Sequence, residues 1–409
     1  MPDSHAVKIS AGKEKDMDIK MTGGEAALVD RHSFICRAIA FLCFCIYSSV
    51  AVSAYEDEVI EIDGVEYIYY HSFDVGRMGV VLGRHAPGCA VIMPDERKRL
   101  CIPKFINDNQ VVKIEDEACR HLVDVEEIVL PDGITEIGAN AFRECWSLKK
   151  INIPATVTVI GVSAFEDCEN LKSITLPENI GVGGCAGLFK NCKSLEAFKF
   201  PKGIHGVDSG RAVDFESIGA EIFAGCSSLK EIAIPSGVKT IGYKAFGGCL
   251  SLSRIEMPPN LKTIEVMAFC GCESLETIDL PESVINIGWE AFKDCIGLKN
   301  IKLPYRVTTL GSGLFANCKS LKAISIPENV KIIEGVAFKN CSSLQTVEFS
   351  PGIEEIQIYG ECIFQGCYNL KEIILPRSIA DKILNTRIDP WIESKKIREL
   401  PGLKITYLD

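Results

Sequence analysis

The sequence predicts an α/β repeat solenoid, with a parallel sheet on one wall and short helical or irregular arms on the other. Three observations carry that prediction. One phrase returns five times between residues 232 and 349, beginning at Pro235, Pro258, Pro281, Pro304 and Pro327, so the period is 23. A fixed period of roughly 20 to 50 residues marks units that cannot bury their apolar edge alone and must stack. Within the phrase, LKNIKL sets Leu298, Ile301 and Leu303 around polar Asn300 and Lys302, an alternation that turns one face of a short strand inward. Pro304 follows at once, lacks an N–H and ends the strand. Farther on, Ala291, Phe292 and Cys295 are spaced to share one side of a helical turn. Such a turn is too short to persist unless neighbours hold it.

The phrase extends both ways from this stretch. Strand-and-proline signals end at Pro131, Pro154, Pro177, Pro201 and Pro235 on one side and at Pro376 on the other, about eleven units in all. The unit IGVSAFEDCENLKSITLP at residues 160–177 resembles the BspA-type, or treponemal-class, leucine-rich repeat, and the likeness covers about two-thirds of the chain. The resemblance implies a leucine-rich-repeat right-handed superhelix with a concave parallel sheet and convex arms. It also implies a secreted or cell-surface protein of a bacterium or protist, often linked with adhesion to host proteins or other cells.

Composition narrows the function classes. A hydrophobic content of 47% and a charged content of 24% suit a folded chain with ample core. The net charge of -11 argues against nucleic acid as a partner. Nineteen cysteines invite thoughts of disulfides or metal, but Cys145, Cys168, Cys192, Cys226, Cys249, Cys272, Cys295, Cys318, Cys341 and Cys367 occupy one slot of the repeat. There they act as small apolar residues facing the core. Cys270 with Cys272 and Cys362 with Cys367 lack the second pair or histidine that a zinc site needs. No nucleophile and base, phosphate-cradling loop or HExxH motif occurs, so neither enzyme activity nor a cofactor is expected.

In chain order, residues 1–54 read as an N-terminal extension and signal peptide, or a signal anchor. Residues 38–54 are apolar, follow Arg37, and place Val52 and Ala54 where cleavage before Tyr55 is expected. Cleavage would leave no stable membrane span. Residues 55–110 lack the period and read as a β-rich N-terminal cap, with a hairpin turn at Asp63-Gly64. Residues 111–376 are the repeats, the first of which has Cys119 for phenylalanine and Leu122 for cysteine. Residues 377–409 read as a C-terminal cap, with a helix at SIADKILN, an aromatic lid at Asp389-Pro390-Trp391 and a closing strand at LKITYLD.

One repeat carries eleven extra residues after Ile204, expected as a rim loop beside the concave face and holding His205, Asp208, Arg211 and Asp214. Asp208 and Asp214 match no calcium-loop spacing. The outward strand positions form two columns, which include Lys150, Glu231 and Arg254 in one, and Asn152, Lys199, Glu256, Asp279 and Lys302 in the other. At about 4.8 Å per rung, the columns make a strip of roughly 50 Å. That area suits a protein ligand such as a host matrix or cell-surface component. A structural, self-associating envelope module is the alternative.

Overall fold

A computed structural model describes residues 58–62, 65–72, 79–82, 91–92, 98–183, 186–208, 211–357, 363–385 and 396–408. The chain divides into Met1–Ala54 and Tyr55–Asp409, and every described residue belongs to the second unit. The apolar segment 38–54, Asp63-Gly64, Cys185 and the Asp389-Pro390-Trp391 lid lie outside the described residues.

The second unit is a parallel β-solenoid of about eleven turns with little helix. Most turns place two short strands in two separate ribbons. The first ribbon contains the expected strands, among them Glu127–Val129, Lys150–Asn152, Glu231–Ala233, Arg254–Glu256, Ala323–Ser325 and Thr346–Glu348. Their pairing is parallel and shifted by one repeat, as in Lys150 opposite Glu127, Arg254 opposite Glu231 and Thr346 opposite Ala323. Its first rung, Arg99–Cys101, pairs parallel with Glu127–Val129, so the stack reaches into the expected entry segment.

The second ribbon was not legible as strand. It runs through Glu136–Ile137, Val159–Ile160 and Gly181–Gly183, and resumes at Ser217–Ile218, Thr240–Ile241, Thr263–Ile264 and Asn286–Ile287. Glycine lets these rungs approach closely. A Cβ on Gly288 would sit 2.4 Å from the Val266 nitrogen, and one on Gly161 would sit 2.4 Å from the Ala139 nitrogen.

The arms, expected as short helical or irregular pieces, form no helix among the described residues. The residue before each repeat cysteine has a positive φ: 63° at Asp167, 75° at Gly248, 59° at Asp294 and 64° at Asn317. A left-handed residue cannot continue a right-handed helix, and Asp, Asn and Gly are the types that tolerate it. The arm is therefore a chain of turns, closed locally by bonds such as Leu148 N–H to Cys145 O at 3.0 Å. It is tied to its neighbour by a further ladder, as when the Phe246 and Asp294 N–H groups donate to the Ala268 and Ala316 carbonyls, each at 2.8 Å.

Inside, the phenylalanines stack like coins. Phe246 and Phe269 have centroids 5.4 Å apart with ring planes 2° from parallel, and Phe269 and Phe292 follow at 5.5 Å and 4°. The cysteines have a second use besides filling space. Each thiol donates to the carbonyl of the aromatic position one repeat back, as from Cys272 to Phe246 at 3.3 Å and from Cys318 to Phe292 at 3.1 Å. Burial pushes the thiols of Cys168, Cys272 and Cys318 far above their ordinary range, which keeps them protonated donors. In the first described repeat Cys119 and Leu122 are both buried in the swapped slots.

At the ends, Glu58–Ile62 and Val65–Ser72 pair antiparallel, with Ile62 opposite Val65, which is the hairpin expected there. At the other end Arg377–Leu384 is helical and buries Ile379, Ala380, Ile383 and Leu384. Lys404–Leu408 adds a last parallel rung beside Glu372–Pro376.

Candidate functional site

The first ribbon arises because alternating residues of each strand face outward. Lys150, Asn152, Glu231, Arg254, Glu256, Asp279 and Lys302 are all exposed on it, at successive levels of the stack. Lys199 is exposed too, between the buried Phe198 and Phe200, at a level where only the isolated bridge from Ala197 to Glu231 continues the ladder. Extra rings are packed there, with Phe198 5.0 Å from Phe189 and from Phe200.

Several of these side chains are engaged within the protein. Asn152 donates to the Leu130 carbonyl and accepts from the Leu130 N–H, both at 2.9 Å, so its amide extends the backbone ladder. Lys150 lies 3.4 Å from Glu127, Arg254 lies 2.8 Å from Glu256, and Lys302 lies 2.7 Å from Glu282. Beside the ribbon, Glu126 accepts from Lys149 at 2.7 Å and from Lys98 at 2.9 Å. Those two ammonium groups lower its carboxyl to about 2. Among the described residues, Glu231, Asp279 and Lys199 have no ion-pair partner. The ribbon therefore offers mixed, partly self-compensated charge on a regular lattice.

The eleven-residue insertion was expected to be a rim loop beside the first ribbon. It is instead a hairpin in the second ribbon. His205–Asp208 pairs parallel with Gly181–Gly183, and Arg211–Val213 returns antiparallel, with Asp208 opposite Arg211. The added residues satisfy their backbone groups most directly by extending the sheet they leave. His205 Nδ1 lies 3.1 Å from the Gly203 carbonyl oxygen, and Asp214 is exposed where the chain rejoins the stack. The hairpin thus separates His205, Asp208, Arg211 and Asp214 from the charged columns, by ribbon rather than by sequence.

Charge also runs along the arms of the first repeats. Arg120 binds Glu117 at 3.3 Å and Glu144 at 3.1 Å, while Glu166 lies 3.5 Å from Arg143 and 3.7 Å from Lys190. Lys190 continues to Glu221 at 2.9 Å. Among the described residues, no group of three or more His, Cys, Asp or Glu is placed to hold a metal ion. None of their helices is long and apolar enough to cross a membrane.

Sequence reasoning missed the second ribbon's exposed side chains. Tyr243, Ile285 and Trp289 are 37%, 39% and 57% exposed along it. The signal was present as large apolar residues at positions where other repeats carry alanine, lysine or serine.

No curated protein matches the chain significantly. Similar solved structures include a leucine-rich cell surface protein from Faecalibacterium prausnitzii, 23% identical, covering 78% of this chain and 95% of that one, with a TM-score of 0.48. A leucine-rich repeat protein from Bacteroides ovatus is 24% identical, covering 88% and 100%, with a TM-score of 0.45. A leucine-rich repeat protein of T. pallidum is 23% identical, covering 51% and 87%, with a TM-score of 0.42. The model of the BspA type leucine rich repeat region matches residues 98–210, 212–322 and 263–385. Those matches span more than half of the chain and coincide with the stacked repeats, and the chain belongs to the BspA-type leucine-rich repeat family.

Proposed function

We propose that this is an exported, non-enzymatic interaction protein of the cell surface or extracellular space, which presents its first ribbon to a protein ligand such as a host matrix or cell-surface component. The observation that carries the reading is the set of exposed columns with Glu231, Arg254, Glu256, Asp279 and Lys302 on consecutive levels. With rungs about 4.8 Å apart, the ribbon is long enough for an interface of roughly 800 Å² per partner. Its charges, spread thinly and mostly paired internally, select a partner by pattern and set association rate more than depth of affinity. Curvature that makes this ribbon the concave wall would match the family's usual geometry. The apolar segment 38–54 supports export.

The test is solid-phase binding of the protein to a panel of purified matrix and cell-surface proteins, beside a variant with Glu231→Lys, Arg254→Glu and Lys302→Glu. Capture of at least one panel member, weakened about tenfold or more by the reversal, is the expected result. Equal capture by both proteins would take the contact off this ribbon, and concentration-dependent assembly without any capture would replace this reading with a structural, self-associating role.

A further inference from the structure

The corner between the second ribbon and the arms holds a groove of about 350 Å³, spanning four successive repeats and lined by Tyr243, Thr263, Glu265, Ile285, Asn286 and Thr308 among others. That volume lies within the range of small-ligand sites, roughly 300 to 1,000 Å³. Tyr243 lines the groove, with Lys244 Nζ 5.3 Å from its ring centroid, and Trp289 stands just past the lining residue Gly288 at the equivalent position two repeats on, so the two rings are two rungs apart, roughly 10 Å. Trp289 is held by a specific accommodation. Its indole lies over Gly311, where a Cβ would come 2.6 Å from Trp289 Cδ1, yet the side chain remains 57% exposed.

The polar groups differ from those of the earlier repeats. There the Thr135 and Thr158 hydroxyls are spent on the carbonyls of Val112 and Thr135, each at 3.1 Å. Among the described residues, the side chains of Thr263, Asn286 and Thr308 have no such partner. Glu265 is the one charged lining residue, and it accepts the Tyr243 N–H at 3.0 Å. The lining holds no cation that could answer a phosphate chain, and its single carboxylate is already bonded to a backbone N–H. A ligand with many hydroxyls, no charge and a flat apolar face would find a complement in the free hydroxyl and amide groups and the exposed rings.

We propose that this groove is a binding site for a neutral β-linked oligosaccharide, with Tyr243 and Trp289 stacking on alternate pyranose rings and Thr263, Asn286 and Thr308 bonding their hydroxyls. The two-rung spacing of the rings is close to the repeat of a β-1,4-linked disaccharide. The site is on the second ribbon and stands independently of protein capture by the first.

The test titrates the full chain with cellotetraose and with chitotetraose, followed by calorimetry and by tryptophan fluorescence. At least one tetrasaccharide should bind with a submillimolar Kd. Trp289→Ala should weaken it about tenfold or more and Asn286→Ala by a smaller factor. Because the indole covers Gly311, Trp289→Phe serves as a second variant that keeps a ring there and should retain part of the affinity. Thermal melts should show all three variants folded, and the first-ribbon charge reversal should bind sugar as the parent does. Neither sugar producing heat or a fluorescence change at millimolar concentration, or Trp289→Ala binding as tightly as the parent, would overturn the proposal.

Discussion

The two ribbons of this solenoid are made from the same repeat and share one core, yet they face solvent with different chemistry. On the first, outward residues are charged or small, and pairs such as Arg254 with Glu256 and Lys302 with Glu282 neutralise one another. On the second, the groove lined between Tyr243 and Thr309 has Glu265 as its one charged residue and carries hydroxyls, an amide and exposed apolar side chains. The difference teaches that one repeat can carry different outward chemistry on each wall. Inward residues set the stack, and each outward column varies freely because its side chains face solvent rather than the core.

If the core is common to both walls, the largest effect should come from damaging it. Phe269 is fully buried between Phe246 and Phe292. Phe269→Ala should cost about 3–5 kcal/mol, since it opens a cavity in the middle of a continuous stack. Urea denaturation followed by circular dichroism measures this. A loss under about 1 kcal/mol would show that the ribbons do not depend on one core.

The next effect separates the two walls. Gly288 lies where rungs of the second ribbon meet backbone to backbone, so Gly288→Ala has nowhere to put its methyl group and should cost about 1–3 kcal/mol. At Gly311 the obstructing atom belongs to the Trp289 ring, which can swing aside. Gly311→Ala should therefore destabilise less, while displacing the indole and blue- or red-shifting its emission. Equal destabilisation by the two substitutions, measured by thermal melts, would mean that the close approach of second-ribbon rungs is not what glycine provides.

Much of this was legible in the sequence, for reasons that also explain what was not. The first ribbon was readable because Asn300 and Lys302 alternate with Ile301 and Leu303, and a two-residue period is unambiguous. Second-ribbon strands are only two or three residues long in the repeats, as at Thr263–Ile264, too short for any alternation to appear. The arms were read toward helix from the spacing of Phe292 and Cys295, although Asp294 between them already argued for a left-handed turn. For the insertion, length was readable and direction was not, since HGVD and RAV became strands only by meeting Gly181–Gly183. The columns' exposure on the first ribbon was readable from the alternation, but that Asn152 is spent on Leu130 depends on a contact between repeats that no single repeat displays.

The smallest expected effect tests whether first-ribbon charge contributes to the fold at all. Glu126 lies beside that ribbon, between Lys98 and Lys149, and its carboxyl is lowered from 4.5 to about 2 by their hydrogen bonds. A carboxyl whose folded pKa is depressed adds stability above its unfolded pKa and loses it as pH falls through the folded value. Its contribution should be complete at neutral pH, decline below about 4.5 and vanish near 2. Glu126→Gln removes the charge at every pH. Its melting temperature should lie slightly below the parent's at pH 7 and converge with it as the solution is acidified toward pH 2, because both proteins then carry an uncharged group between the lysines. High salt should shrink the neutral-pH difference, since exposed pairs are screened. A gap that persists unchanged to pH 2 would assign the effect to packing of the side chain and leave first-ribbon charge with no structural role, free to answer to a partner alone.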